Sequence, residues 1–217
     1  MGPAPQAVRA PSLPVWQIPP DALGTQRLYR VSYSGPEGEG SFRVTLRLVS
    51  PERYEIQAVD PLGRALWSLD VLEGQGLWLD HRGRAYCSFE GRFEMRGFPL
   101  GPFPLLALPS LLLGRVPAEP AGTVQEQDGE TVFLDAAGRR WAAAAEGGVV
   151  ESWNLAEKDA PTIWWRLYEG SAILSDRERN IQVRWREVLR EKLQADLERL
   201  TPPAGYRQTE CQSPDLP

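Results

Sequence analysis

From Arg27 to Trp185 apolar and polar residues alternate with a period of two, and short turn segments carrying Gly, Asp or Asn break the alternation again and again. Successive side chains of a strand point to opposite faces, so a chain written this way builds antiparallel sheet with one covered face. Val44, Leu46 and Leu48 alternate with Arg43, Thr45 and Arg47, and Tyr54, Ile56 and Ala58 alternate with Glu55 and Gln57. Ala65, Trp67, Leu69 and Val71 share the next face. The segments 76–80 and 84–89 form a hairpin across Asp80-His81-Arg82-Gly83, and the pattern resumes over 123–127, 131–135, 139–145, 149–155, 162–168, 172–175 and 180–185. Roughly ten strands in succession predict a mainly β (α+β) fold: a large antiparallel sheet, strongly curved or partly closed.

Breaks in the pattern set the boundaries. Residues 1–24 carry many prolines and no apolar period, which predicts a flexible tether. Residues 25–200 make the folded domain. Within it, Leu189, Leu193, Leu197 and Leu200 fall on one face of a helix expected over 187–200, stopped by Thr201-Pro202-Pro203. Residues 201–217 remain as a tail. Gly35-Pro36-Glu37-Gly38-Glu39-Gly40 reads as a hairpin loop, because it lacks the Gly-Lys-Ser/Thr ending and the following helix of a phosphate cradle.

At 217 residues the chain can bury one sizeable core. Its 24 Lys and Arg against 29 Asp and Glu give a net charge of −5 with no basic run, which argues against nucleic acid as a partner. The same balance argues against purely electrostatic attachment to anionic lipid, so membrane contact is expected to be apolar or covalent. Gly101 to Gly114 is apolar but too short to span a bilayer, and it contains Pro102, Pro104 and Pro109. The spacing of Cys87 and Cys211 matches no zinc or redox motif and leaves open a disulfide or two free thiols.

Chemistry-bearing residues are sparse. His81 is the single histidine and sits in a turn, where it reads as a solvated residue. One His and two distant Cys cannot assemble a transition-metal site. The carboxylate pairs Asp60 and Asp70, or Glu90 and Glu94, carry no mark of an acid and base couple. The expectation is a non-enzyme without cofactors.

The apolar inventory is richer. In Asp60-Pro61-Leu62-Gly63 a leucine occupies the tip of a turn, where a polar residue is usual. Trp67, Trp78, Trp141, Trp153, Trp164, Trp165 and Trp185 fall in or beside strands. A concave face lined by Trp and Leu, with the segment 102–113 laid across it, would enclose space for acyl chains. The lining and lid expected on that basis are Leu46, Leu48, Ile56, Trp67, Leu69, Phe103, Leu105, Leu106, Leu108, Leu112 and Trp165.

Arg53-Tyr54-x-Ile56, Pro61-Leu62-Gly63, Leu77-x-x-Asp80-x-x-Gly83-x-x-Tyr86, Pro99-Leu100 and Leu113-Gly114-x-x-Pro117 together resemble the outer-membrane lipoprotein receptor family LolB, of the LolA/LolB-like superfamily. The resemblance covers residues 25–120, and more loosely 172–176 and 181–183. It implies an incomplete barrel with helical lid segments around a cavity for lipoprotein acyl chains. It also implies a LolA-like periplasmic carrier as donor, acylated lipoproteins as cargo, and the inner leaflet of the outer membrane as acceptor. The protein would act as a monomer on the periplasmic face, lipid-anchored, with Met1-Gly2 standing where such receptors carry a lipidated cysteine and the proline-rich start as tether. The family's protruding leucine corresponds to Leu62, which would meet the membrane and deliver cargo. Pro104 and Pro109 depart from a regular lid helix, and the segment after 186 and the Trp164-Trp165 pair lie outside the pattern. Two rival readings follow: a periplasmic carrier of lipid or glycolipid with the same fold, and a structural or partner-binding lipoprotein whose interior is filled by its own tryptophans.

Overall fold

The computed structural model describes residues 13–36, 38–93, 103–157 and 160–211. An antiparallel meander opens the fold: β1 (Thr25–Gly35), β2 (Gly38–Ser50), β3 (Arg53–Val59), β4 (Ala65–Leu72), β5 (Gln75–Asp80) and β6 (Ala85–Glu90). A short pair, β7 (Arg92–Phe93) and β8 (Phe103–Pro104), leads into a turn of 3-10 helix, Leu105–Ala107, and the helix α1 (Leu108–Leu112). A second meander follows: β9 (Gln125–Gln127), β10 (Glu130–Leu134), β11 (Arg140–Glu146), β12 (Val149–Glu157), β13 (Ala160–Tyr168), β14 (Ser171–Asp176) and β15 (Ile181–Lys192), before a terminal β16 (Arg207–Gln208).

All but β7 and β8 join one 14-stranded sheet, in the order β16-β6-β5-β4-β3-β2-β1-β15-β14-β13-β12-β11-β10-β9. The two meanders are joined along β1 and β15, paired from Thr25↔Lys192 to Ser34↔Gln182. The sheet is unclosed, with β16 and β9 at its edges. Register shifts at Leu28/Tyr29, Leu48/Ser50, Ala58/Val59, Ala144/Ala145 and Leu155/Ala156 mark bulges, which bend strands and raise the twist. This is the curved, mainly β architecture that the alternation predicts.

The hairpins differ at the two ends of the sheet. At one end the turns are two residues long: Glu73-Gly74, Asp128-Gly129, Gly147-Gly148 and Glu169-Gly170, each with both residues at positive φ. In Glu73-Gly74 (φ 51° and 81°) this is the primed turn whose twist matches the flanking strands. At the other end lie the longer connections 60–64, 80–84, 135–139 and 176–180, each headed by an aspartate. Asp60 shows why. Its Oδ1 accepts the N–H groups of Leu62 and Arg64 and its Oδ2 accepts Arg64 Nε, so one side chain ties the whole loop. Asp135 repeats the arrangement with Ala137 and Arg139, and also accepts Trp141 Nε1 at 3.0 Å.

Three parts of the chain behave differently from the expectation. The helix predicted over 187–200 does not form. Residues up to Lys192 extend β15, because pairing with β1 satisfies their backbone groups (Arg27↔Arg190, Leu28↔Leu189) and the neighbouring strand is already in place. Beyond Lys192 the chain is an extended strap. Leu193, Leu197 and Leu200, the intended helix stripe, are half-buried along it. Arg53 donates to the carbonyls of Leu197 and Glu198 and pairs with Asp70, which also accepts Leu200 N–H. Second, the tail is tied to the sheet: β16 pairs parallel to β6, and Cys211 is bonded to Cys87, which resolves the open cysteine question as a disulfide. Third, Val15, Ile18 and Ala22 of the expected tether are buried in the core, so the packed unit reaches back to Val15. Residues 1–12 of the tether and 212–217 of the tail lie outside the described residues.

Candidate functional site

β4 is buried on both faces. Its outer residues Leu66, Ser68 and Asp70 lie on the strap side, and its inner residues Trp67, Leu69 and Val71 face the concavity. From there the inner face continues through Tyr54, Ile56 and Ala58 of β3, Val44, Leu46 and Leu48 of β2, Tyr29 and Val31 of β1, and Val183 and Trp185 of β15. At the far side a row of indoles covers β11 to β13: Trp141 and Trp153 have centroids 5.3 Å apart, and Trp153 and Trp165 stack at 6.0 Å with an interplanar angle of 4°. Trp67 and Trp78 stack at 4.6 Å on the opposite side.

The segment 105–118 fills this concavity. Leu105, Leu108, Leu111, Val116 and Ala118 are all buried in the same cluster as the sheet residues. Pro104 and Pro109 break the segment as the sequence implies: a 3-10 turn and a five-residue helix replace one regular helix. Gly114, at φ 74°, lies so close to Trp165 that a Cβ would stand 3.0 Å from the ring, so the lid reaches the indole row only because this residue has no side chain.

Few polar bonds hold the lid. Tyr54 OH donates to Leu105 O at 2.6 Å, inside the core, and Trp185 Nε1 donates to Leu112 O at 3.3 Å. Burial pushes the Tyr54 phenol well above its ordinary pKa, so it stays a donor. At the lid's far end Arg115, 4% exposed, donates to the carbonyls of Pro14 and Gly148, and Val116 N–H meets Val15 O. Burial lowers the Arg115 pKa. Its cation is met by carbonyl oxygens, and a guanidinium keeps its charge even so.

Three indole N–H groups inside this core, on Trp67, Trp153 and Trp165, have no acceptor among the described residues. A buried unsatisfied donor costs about 1–3 kcal/mol, so the closed interior carries an unmet demand for oxygen acceptors. Where the sheet fails to close, a cleft of about 460 Å³ opens between Gly91-Arg92 after β6, the lid residues Ala107 and Ser110, and the Asp135–Arg139 turn. Trp16 and Val116 floor it, and Arg92, Glu119, Asp135 and Arg139 supply its polar edge. Burial alone would raise the Asp135 carboxyl, but the bonds from Trp141 and Arg139 outweigh it and hold the pKa below the usual carboxylate range.

The sequence-derived lining lies under the lid. Leu46, Leu48, Ile56, Trp67, Leu69, Leu105, Leu108 and Trp165 are buried, and Leu112 is partly buried against them. None of them lines the cleft. The side chains of Phe103 and Leu106 lie outside the described residues. Leu62 is 81% exposed, held at the apex of the Asp60 loop with Arg43 reaching Pro61 O behind it. The cleft was not legible in the sequence, because its lining comes from segments far apart in the chain, around Trp16, Gly91-Arg92, 104–119 and 135–139, which only the fold brings together.

His81 is not a free turn residue. Nε2 lies 2.9 Å from Ser68 Oγ and Nδ1 2.9 Å from Tyr206 OH, linking a sheet serine to the strap. Burial lowers the imidazole pKa, with Asp80 opposing. Ser68 is only 2% exposed, so its hydroxyl is closed to any substrate and the chain of bonds fastens the strap. Among the described residues no group of three or more His, Cys, Asp or Glu could hold a metal ion.

No family model and no curated protein matches the chain. Solved structures do. The chain is similar to the LolA superfamily protein NE2245 from Nitrosomonas europaea, at 9% identity over 82% of this chain and 88% of that one, with a TM-score of 0.50. It is also similar to a DUF1329 family protein from Desulfovibrio piger (7% identity, 80% and 87% covered, TM-score 0.49). A third is a domain ascribed to an outer membrane lipoprotein-sorting protein of Vibrio parahaemolyticus (7% identity, 80% and 86% covered, TM-score 0.43). At 9% identity the first shares the fold with this chain: the fold is LolA-like.

Proposed function

We propose that this chain is a LolB-like, non-enzymatic acceptor that takes lipoprotein acyl chains into its core in place of the lid and releases them to the outer membrane at the Leu62 end. The observation that carries the reading is the lid itself. An apolar segment, 105–118, occupies the concavity of a LolA-like sheet; its leucines are retained by burial, with hydrogen bonds from Tyr54 at its start, from Trp185 at Leu112 and through Arg115 and Val116 at its far end. An acyl chain can replace such apolar contacts methylene for methylene, and the acceptor-less indoles on the same face suit the ester and amide oxygens of an acylated cargo. The cleft at the open edge of the sheet is the way in.

On this reading the donor is a LolA-like periplasmic carrier, and transfer runs down differences in affinity among carrier, core and bilayer. The Cys87–Cys211 disulfide is in keeping with an oxidising compartment such as the periplasm. Leu62 supplies a transient apolar contact: full burial of one leucine is worth about 1.5–3 kcal/mol, too little to anchor. A lipid anchor would hold the protein at the membrane between deliveries.

A second reading is favoured by the closeness of the packing: a structural or partner-binding lipoprotein whose interior stays filled. Transfer of a triacylated lipoprotein from a soluble carrier to this protein, and on to liposomes, separates the two. The acceptor reading expects the native chain to accept and deliver, and Leu62→Glu to accept but deliver poorly. Failure of both proteins to take up cargo would leave the filled-core reading standing.

A further inference from the structure

The sequence has no basic run, yet the topology gathers arginines to one end of the sheet. The connections 80–84, 60–64 and 177–180 and the paired strand ends Gly35 and Gly38 are neighbours along a single rim, because β6-β5, β4-β3, β2-β1 and β15-β14 follow one another in the sheet. On this rim Arg64, Arg82, Arg84, Arg177 and Arg179 are all exposed, with Leu62 projecting from the 60–64 loop. The acids of the same loops are spent differently. Asp60 and Asp176 are buried, and Asp60, Asp80 and Asp176 each accept main-chain N–H groups of their own turn. The backbone N–H of Arg64, then its guanidinium, hold the Asp60 carboxyl below the usual range, so it stays an internal acceptor. Among the described rim residues the exposed acids are Glu39 and Glu178.

We infer that this rim is a docking surface for a bilayer carrying anionic phospholipid, with guanidiniums bonding the headgroup phosphates that no choline or amine balances, around the inserted Leu62. The inference takes from the proposed function only that this end meets a membrane. Guanidinium forks match phosphate oxygens in pairs, whereas the carboxylates of Asp60, Asp80 and Asp176 are engaged by the main chain of their own turns, which leaves Glu39 and Glu178 as the opposing charges. Since those carboxylates still balance much of the charge, and the chain as a whole carries −5, the rim works at contact range and exerts little long-range attraction. That is how an acidic protein without a basic run can still favour an anionic surface.

The test uses the full chain, without cargo, floated with vesicles of phosphatidylcholine alone or mixed with phosphatidylglycerol. The native protein is expected to bind the mixed vesicles more tightly, and Arg82→Gln/Arg179→Gln to lose about tenfold of that binding. Arg186→Gln/Arg199→Gln, with the same change in net charge away from the rim, is expected to bind as the native chain does. Equal losses in both double variants would reduce the effect to net charge and overturn the inference, as would native protein that ignores phosphatidylglycerol. Uptake of a soluble acyl probe, measured in parallel, keeps the two proposals apart. A protein that takes the probe but not the vesicles would lose its docking rim and keep its lipid-binding core.

Discussion

Asp60 and Asp135 show how much one side chain can organise. Each accepts two main-chain N–H groups and an arginine of its own loop, and Asp135 alone also holds a buried indole, that of Trp141. Replacing Asp135 by alanine strands that indole inside the protein, which is expected to destabilise the fold by about 1–3 kcal/mol. Chemical denaturation of the variant checks the figure. Both carboxyls titrate below their ordinary pKa in the folded state. Their contribution is therefore present above the unfolded value of about 3.9 and lost as pH falls through the folded value. Thermal melts between neutral and strongly acid pH should show the native chain losing stability below about pH 4, with a shallower loss in Asp135→Asn. Leu62 is the contrary case, since a side chain already in solvent contributes little to folding. Leu62→Glu should leave the melting temperature nearly unchanged, so a delivery defect in that variant could not be ascribed to unfolding.

At the scale of elements, the strands were legible because an alternating stripe has one physical solution when a single face is covered, and the turns because Gly, Asp and Asn mark them. Leu193, Leu197 and Leu200 were misread because their spacing fits a helix face equally well as an extended strap with half-buried leucines. Nothing local decides between these; Arg53 of β3 and Asp70 of β4, far away in sequence, do, by bonding the backbone at Leu197, Glu198 and Leu200. Likewise Ser68, His81 and Tyr206 form a chain only in three dimensions, with His81 and Tyr206 125 positions apart. The strap's fastenings make two predictions. Reducing Cys87–Cys211 removes the covalent tie at its far end, so limited proteolysis should cut between Leu193 and Tyr206 in the reduced protein well before the sheet is attacked. Because the folded state lowers the His81 pKa, the unfolded chain binds the proton first as pH falls below about 6.5. Stability from this group is full above that pH and declines below it. His81→Gln should flatten the decline between pH 7 and 5 in a series of melts, the region where the histidine titrates.

For the whole molecule, the question is whether a closed core can open at reasonable cost. Withdrawing Leu105, Leu108, Leu111 and Val116 gives up about 6–12 kcal/mol at 1.5–3 kcal/mol per buried side chain. Each acyl methylene that takes their place returns about 0.8 kcal/mol, so about 8–15 methylenes offset the lid. One long acyl chain lies in that range and a short one does not. Binding of fluorescent fatty acyl probes should therefore rise steeply with chain length, with little uptake for chains well below about ten carbons. Because the lid must leave first, the observed rate should level off at high probe concentration at the rate of opening. Gly114→Val bears on the same step: positive φ and the Trp165 ring both exclude a branched side chain, so this substitution raises the energy of the closed lid and leaves the sheet face intact. Faster and tighter uptake in Gly114→Val, with a native-like far-ultraviolet spectrum, would follow if lid and cargo compete for one site. Uptake independent of chain length, or unaltered by Gly114→Val, would mean that apolar ligands bind somewhere other than beneath the lid.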